Sequence, residues 1–209
     1  MSKPLILIGG GGHCKSVIDV AESAGYTILG ILDRNIPEGT TVLGYPVLGN
    51  DDKIAPYIDK AEFLVTVGQI KSPAIRIRLN KMVEDAGGKL ATVIASTAHV
   101  SKYATVGEGT VVMHQAVVNA DAHIGKGCII NTFANIEHDV TIGDYCHIST
   151  GAIVNGEAKV GDGTFVGSQS VINQCVTVNE NAVIASGSVV HIDLKESGIF
   201  AGNTLKCYK

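Results

Sequence analysis

The chain of 209 residues contains no tryptophan, only four phenylalanines and six tyrosines. With 45% hydrophobic residues it can still bury a core. The filling must then come from small and β-branched side chains, which suits thin layers brought close together and not a helical bundle. No apolar stretch reaches the roughly 18 residues of a membrane span, so none is expected. The short run Leu5 to Ile8 meets glycines at once, and nothing before it reads as a signal peptide. Charge is also scarce: 17% charged residues, with a net charge of −4. A nucleic-acid binder working by counterion release is usually basic, so that class is disfavoured. Five cysteines, Cys14, Cys128, Cys146, Cys175 and Cys207, form an odd set with no CxxC pair. Neither a disulfide framework nor a metal site is expected, and a cytoplasmic protein fits.

Glycine is plentiful, at 25 residues, and much of it follows a repeat. From Val93 to Leu194 the sequence divides into seventeen six-residue blocks without an insertion. The second position of every block is Val or Ile, and the sixth is Ala, Cys, Ser or Thr in fourteen of the seventeen. A period of six describes a short flat strand followed by a turn. One β-branched residue points inward per block, and a small residue is expected where the chain bends. Gly107, Gly125, Gly143 and Gly161 recur at the third position, where crowding favours a missing Cβ. Three blocks make one triangular coil, and coils stack about 4.8 Å apart. Residues eighteen apart then lie above one another, Cys128 over Cys146 and Ile124 over Ile142. The hexapeptide pattern predicts a left-handed parallel β-helix of nearly six coils.

The first half reads differently. Pro4 to Ile8 is a buried strand, Gly9 to Gly12 a turn, Cys14 to Ala24 a helix with Gly25 behind it, and Ile28 to Leu32 a second strand ending at Asp33. This strand–glycine loop–helix–strand unit is of the kind that holds a phosphate at a helix N-terminus. Its fingerprint is incomplete, because Cys14 replaces the third glycine. Asp33 stands where an acid often meets a ribose. A strand at Phe63 to Val67, a helix around Pro73 to Ala86 and a strand near Lys89 to Val93 complete the unit. The expected organisation is a Rossmann-like α/β domain over residues 1–88 and an all-β left-handed β-helix with a C-terminal cap over 89–209.

β-Helices of this repeat mostly transfer acyl groups from thioesters. Such chemistry needs a base, a donor for the developing oxyanion and a groove for a long pantetheine arm. Histidine suits the base near neutral pH. Six of the seven histidines lie in the second half. His138 is the fourth residue of its block, which points it outward near a corner, with Glu137 before it and Asp139 after it. His147, nine residues on, is half a coil away and on another face, so the two line one groove only across subunits. His114 reads as an ordinary surface histidine. Cys128 and Cys146 look structural, and Cys14 lacks a partner base.

Three segments carry a family resemblance: Ile8-Gly9-Gly10-Gly11-Gly12-His13, then Gly44-Tyr45-Pro46-Val47-Leu48-Gly49, then Asn131-Thr132 through Ile136-Glu137-His138-Asp139. Together they resemble the bacterial sialic-acid acetyltransferase and PglD-type family over nearly the whole chain. The resemblance implies acetyl-CoA as donor, a UDP- or GDP-linked 4-amino-4,6-dideoxysugar as acceptor, and a homotrimer with active sites between subunits. It implies His138 as general base and Asp139, where the family often has Glu, as its polarising carboxylate. It places Asn131 near the acceptor sugar, and Gly11, Gly12 and His13 in the diphosphate and sugar loop. Asp33 and Arg34 are placed at the nucleoside. His147, Gly156, Ala201 and Gly202 are placed toward the coenzyme. The tail Ala201-Gly202-Asn203-Thr204-Leu205-Lys206 departs from the family's usual Gly-Val-Pro-Ala-Lys. Two other readings stay open: O-acetylation of a sugar hydroxyl, sialic acid included, and a non-catalytic nucleotide-sugar sensor or scaffold.

Overall fold

A computed structural model describes residues 4–202. The N-terminal part is a five-stranded sheet of order β3-β4-β2-β1-β5. It comprises β1 (Leu5–Ile8), β2 (Ile28–Leu32), β3 (Thr41–Val42), β4 (Tyr45–Gly49) and β5 (Glu62–Val65). β1 lies between β2 and β5, parallel to both, and its side chains alternate between two cores. Leu5 and Leu7 pack with helix α1 (Gly12–Ser23), while Ile6 and Ile8 pack with helix α2 (Ala74–Asp85). α1 ends as expected: Gly25 takes φ +78°, with Gly25 N–H on Glu22 and Tyr26 N–H on Ala21, a Schellman closure. The Gly44 segment makes the β3–β4 hairpin. The anticipated strand near Lys89 is instead a single bridge between Leu90 and Phe63, after which Val93–Ile94 joins the helical coils. The chain there turns from one sheet into another, which leaves no room for a full sixth strand.

Seventeen two-residue strands follow from Val93–Ile94 to Val189–Val190, and each of the first fourteen pairs parallel with the strand eighteen residues on. They form three faces. The head-side face begins at Val93–Ile94 and contains Ile129–Ile130, His147–Ile148 and Phe165–Val166. The second contains Val117–Val118, Asn135–Ile136, Ile153–Val154, Val171–Ile172 and Val189–Val190. The third contains Thr105–Val106, His123–Ile124, Thr141–Ile142, Lys159–Val160 and Thr177–Val178. Second and sixth positions together fill the interior, as with Ile130, Ile136, Cys128 and Ala134, all fully buried. The bend itself falls one residue earlier than expected. Fifth positions from Gly109 to Gly187 have positive φ, and at eight of these fourteen turns the N–H of the sixth bonds back to the carbonyl of the third, as in Ala134 to Asn131. These are features of type II turns. The sixth residue is small because it is buried inside the corner.

The third-position glycines are required by close approach. A Cβ on Gly125 would lie 2.6 Å from the carbonyl carbon of Gly143 in the next coil. Gly125→Ala should therefore cost about 1–3 kcal/mol through overpacking, read as a lowered melting temperature with unchanged far-ultraviolet circular dichroism.

The two parts share a core. Val93, Ala95, Val111, Met113 and Ile129 of the head-side face are buried in the same cluster as α1. Val111 and Ile129 occupy outward-facing first positions, made apolar by the head packed on them. At the far end, Ile199–Phe200 adds a last rung, and Phe200 packs against the interior. The remainder of the anticipated cap, from Asn203 on, lies outside the described residues.

Candidate active site

The glycine loop and α1 form the head's part of the candidate site. Gly11 caps α1 without a side-chain hydrogen bond, and the first turn carries no acid. A Cβ on Gly11 or Gly12 would meet nothing within 4 Å. The first-turn N–H groups thus open onto free space, which suits an anion. Asp33 braces this loop: its carboxylate accepts from the backbone N–H of Gly10 at 2.7 Å, Asn35 at 2.7 Å and Ile36 at 3.0 Å. Arg34 beside it is exposed. Cys14 lies inside α1, fully buried, and burial pushes its thiol up to about 11. It is no nucleophile in that state.

His13 and His147 meet where the head rests on the β-helix, with ring centroids 6.4 Å apart. His147 is only 7% exposed and packs edge-on against Phe165. Its Nδ1 lies 2.8 Å from the Gln69 carbonyl, so that nitrogen carries the proton. Its Nε2 then accepts from the Asn131 amide at 3.1 Å. Burial, helped by the nearby Arg76 charge, lowers the pKa of His13 to about 4. Burial likewise takes His147 to about 3, against the opposing Gln69 hydrogen bond. Both rings are neutral at physiological pH. The Nε2 of His13 is buried without a hydrogen-bond partner. Asn131 therefore groups with His13 and His147, and away from His138. His114 ties the same region together, with Nδ1 2.7 Å from Thr97 and Nε2 3.1 Å from Asp19 of α1.

His138 sits on the corner between the second and third faces. Its side chain is 61% exposed, and Nδ1 is 2.6 Å from Asp139 Oδ2. Asp139 occupies the positive-φ fifth position, at +61°. This hydrogen bond raises the His138 pKa above the ordinary histidine value, with the charges of Glu137 and Glu157 adding to it. Glu137 is held by amides from Asn119 at 2.9 Å and Asn135 at 2.8 Å. The ring overhangs an open groove of about 460 Å³, lined also by Asn155, Gly156 and Gln174. Gly156 lies one coil on, directly against the imidazole. A Cβ there would fall 2.9 Å from Nε2. Because the ring can swing aside, Gly156→Ala should leave the melting temperature nearly unchanged and displace the imidazole. The expected reading is a fall in kcat of tenfold or more, measured by thiol release.

Ala201 and Gly202 are exposed on the last rung, well along the coils from these groups. Cys128 and Cys146 are buried, each donating to a carbonyl of the next coil, Gly143 and Gly161. Gln69 and Arg76, which the sequence did not single out, are buried at the junction beside His147. Among the described residues no cluster of three or more His, Cys, Asp or Glu is placed to hold a metal ion. No helix among them is long and apolar enough to cross a membrane.

An α/β head seated on a hexapeptide β-helix, with a histidine–carboxylate pair on an outer corner, defines a hexapeptide-repeat acyltransferase with an added N-terminal α/β domain. Residues 4–83 match the PglD N-terminal domain family, and residues 121–156 and 157–191 match the bacterial transferase hexapeptide family of six repeats. The acetyltransferase domain of PglB from Neisseria gonorrhoeae, solved with acetyl coenzyme A, is 31% identical, with 99% of each chain covered and a TM-score of 0.91. A perosamine N-acetyltransferase variant from Caulobacter crescentus, solved with CoA and GDP-perosamine, is 31% identical over 95% of this chain and 93% of that one, with a TM-score of 0.88. WeeI from Acinetobacter baumannii shares the fold at 21% identity and a TM-score of 0.65, over 90% of this chain and 94% of its own. No match was found among the curated proteins. The chain belongs to the NeuD/PglD-type family of acetyltransferases.

Proposed function

We propose that this protein transfers the acetyl group of acetyl-CoA to the 4-amino group of a UDP- or GDP-linked 4-amino-4,6-dideoxysugar in a ternary complex. The observation that carries this reading is the His138–Asp139 pair, exposed over a groove that Gly156 keeps open. Nδ1–H donates to Asp139, so Nε2 carries the lone pair. Acetyl-CoA supplies the acyl group and a thiolate leaving group. Nε2 takes the proton released as the sugar amine bonds to the acyl carbon, and returns it to the departing sulfur. No covalent enzyme intermediate is needed.

The charge around the base favours an amine over a hydroxyl. Glu137, Asp139 and Glu157 surround His138, and an amine reaches the site largely as a cation, which gives its first proton to solvent before the free amine attacks. The same acids repel phosphate, so the nucleotide diphosphate belongs elsewhere. The open first turn of α1, at Gly11 and Gly12, fits it. Asp33 and Arg34 at the end of β2 are then positioned toward the nucleoside, and Asn131 and His13 toward the sugar. A single chain holds these groups and His138 on separate faces. The site therefore closes between subunits of a homotrimer, whose interface draws on the second face: Val117, Ile153 and Val171 point outward there and are only half-buried. The third face instead shows Thr105, Thr141, Lys159 and Thr177.

The test is thiol release from acetyl-CoA with a panel of UDP- and GDP-linked aminosugars and with sialic acid. Release with an aminosugar alone is expected. Release only with sialic acid would assign O-acetylation, and silence with thermal stabilisation by nucleotide would assign a sensor.

A further inference from the structure

We propose that Arg76 is a positioning residue for the head-side half of the site: through Gln69 it holds His147 in one tautomer and one orientation, with Nε2 turned to Asn131. Arg76 lies on α2 and is 2% exposed, yet no carboxylate among the described residues pairs with it. One guanidinium nitrogen donates to Gln69 Oε1 at 2.7 Å, and another donates to the Gly127 carbonyl. Its Nε has no partner. Gln69 in turn donates from Nε2 to the Gly163 carbonyl at 2.8 Å. The fork thus clamps the loop between β5 and α2 onto two corner glycines of the β-helix. The Gln69 main-chain carbonyl, so fixed, accepts Nδ1–H of His147. The Asn131 amide is locked by its own contact, Oδ1 accepting from Thr132 N–H at 2.8 Å.

A structural filler would not need this side chain. A buried, unpaired guanidinium is costly, and an apolar side chain of similar volume often packs as well or better. What it adds is a rigid planar fork and a fixed positive charge. The fork sets the carbonyl that decides which nitrogen of His147 carries the proton. The charge works with burial to keep His13 and His147 neutral. Of the histidines assigned to the reaction, His138 alone is then left to exchange a proton. That Asn131 and His13 face the acceptor rests on the function proposed above, and His147, which the resemblance places toward the coenzyme, is assigned here to the acceptor side because it bonds to Asn131; the Arg76–Gln69–His147 relay rests on neither.

The test compares Arg76→Met, Arg76→Lys and Gln69→Ala with the parent protein. The His147 tautomer is read from long-range couplings in 15N-histidine-labelled protein, a measurement independent of activity. The parent should show a single tautomer protonated at Nδ1. Gln69→Ala and Arg76→Met should show averaged tautomers, with KM for UDP- or GDP-linked 4-amino-4,6-dideoxysugars raised tenfold or more and KM for acetyl-CoA within twofold. Arg76→Lys, which keeps the charge without the fork, should fall between. If Arg76→Met fails to fold, the other two variants decide. Retention of the single tautomer and of acceptor KM in the folded variants overturns the proposal. So does a rise confined to acetyl-CoA KM, which would move His147 to the coenzyme side. A parent protein with no acetyltransfer at all removes the proposed function, while the tautomer still reports on the relay.

Discussion

Replacing His138 by alanine is expected to lower kcat by about 10²–10⁴-fold, the usual worth of a positioned general base, with nucleotide-sugar binding retained. The ring is exposed and supports no packing, so the folded state should be unaffected. The pH dependence supplies a second reading. The base must be neutral to accept a proton, so kcat/KM rises with pH through the His138 pKa. The hydrogen bond that Asp139 accepts from Nδ1–H holds that pKa above the ordinary histidine value, which places the rise on the alkaline side of it. Asp139→Asn removes the charge and should move the rise to lower pH, with a lower plateau because the stabilised imidazolium is lost. His138→Ala with parental turnover would discard the assignment. An unmoved profile in Asp139→Asn would leave the carboxylate without its role.

Mixing two inactive variants should restore activity. Gly12→Glu places a carboxylate in the open space before α1, where the protein itself makes no contact with an added Cβ. An acid in the first turn is compatible with the helix dipole, so folding should be preserved while an anionic nucleotide is repelled. Gly12→Glu alone and His138→Ala alone should each be nearly silent. In a cyclic trimer with head and base supplied by neighbouring chains, random one-to-one mixing leaves about a quarter of the sites with both halves intact. Recovery near that fraction, measured by thiol release after co-expression, is the expected result. A double variant mixed with the parent serves as the control for subunit exchange. Mixed trimers without recovery would show that each chain completes its own site.

The sequence and the tertiary structure contributed different parts of this picture. The β-helix was legible because it is local and repeated. Each coil buries Val or Ile at one position in six, and any error in the register would be repeated down the stack. The head was legible at its glycine loop and α1, where the turn and the Schellman closure depend on a few adjacent residues. The strand expected near Lys89 was not, because its apolar residues serve the passage between two sheets. α2 was misleading at the level of side chains: Ile75 is 57% exposed while Arg76 and Asn80 are buried. Its inward face follows helical spacing through Arg76, Leu79, Asn80 and Val83, but polarity hid it.

The scarcity of large aromatics determined a narrow interior, and the hexad register determined that His138 stands on an outer corner beside a carboxylate. Only the tertiary structure decided which groups share a site. Asn131 and His138 are seven residues apart yet lie on different faces, because the chain turns a corner between them. Asn131, His147 and His13 meet although 134 residues separate the outermost two. Burial beneath the head then makes His147 a neutral partner, while exposure and Asp139 leave His138 able to exchange a proton. Stacking converts a spacing of eighteen into contact, and the packing of the head on one face determines which contacts are dry.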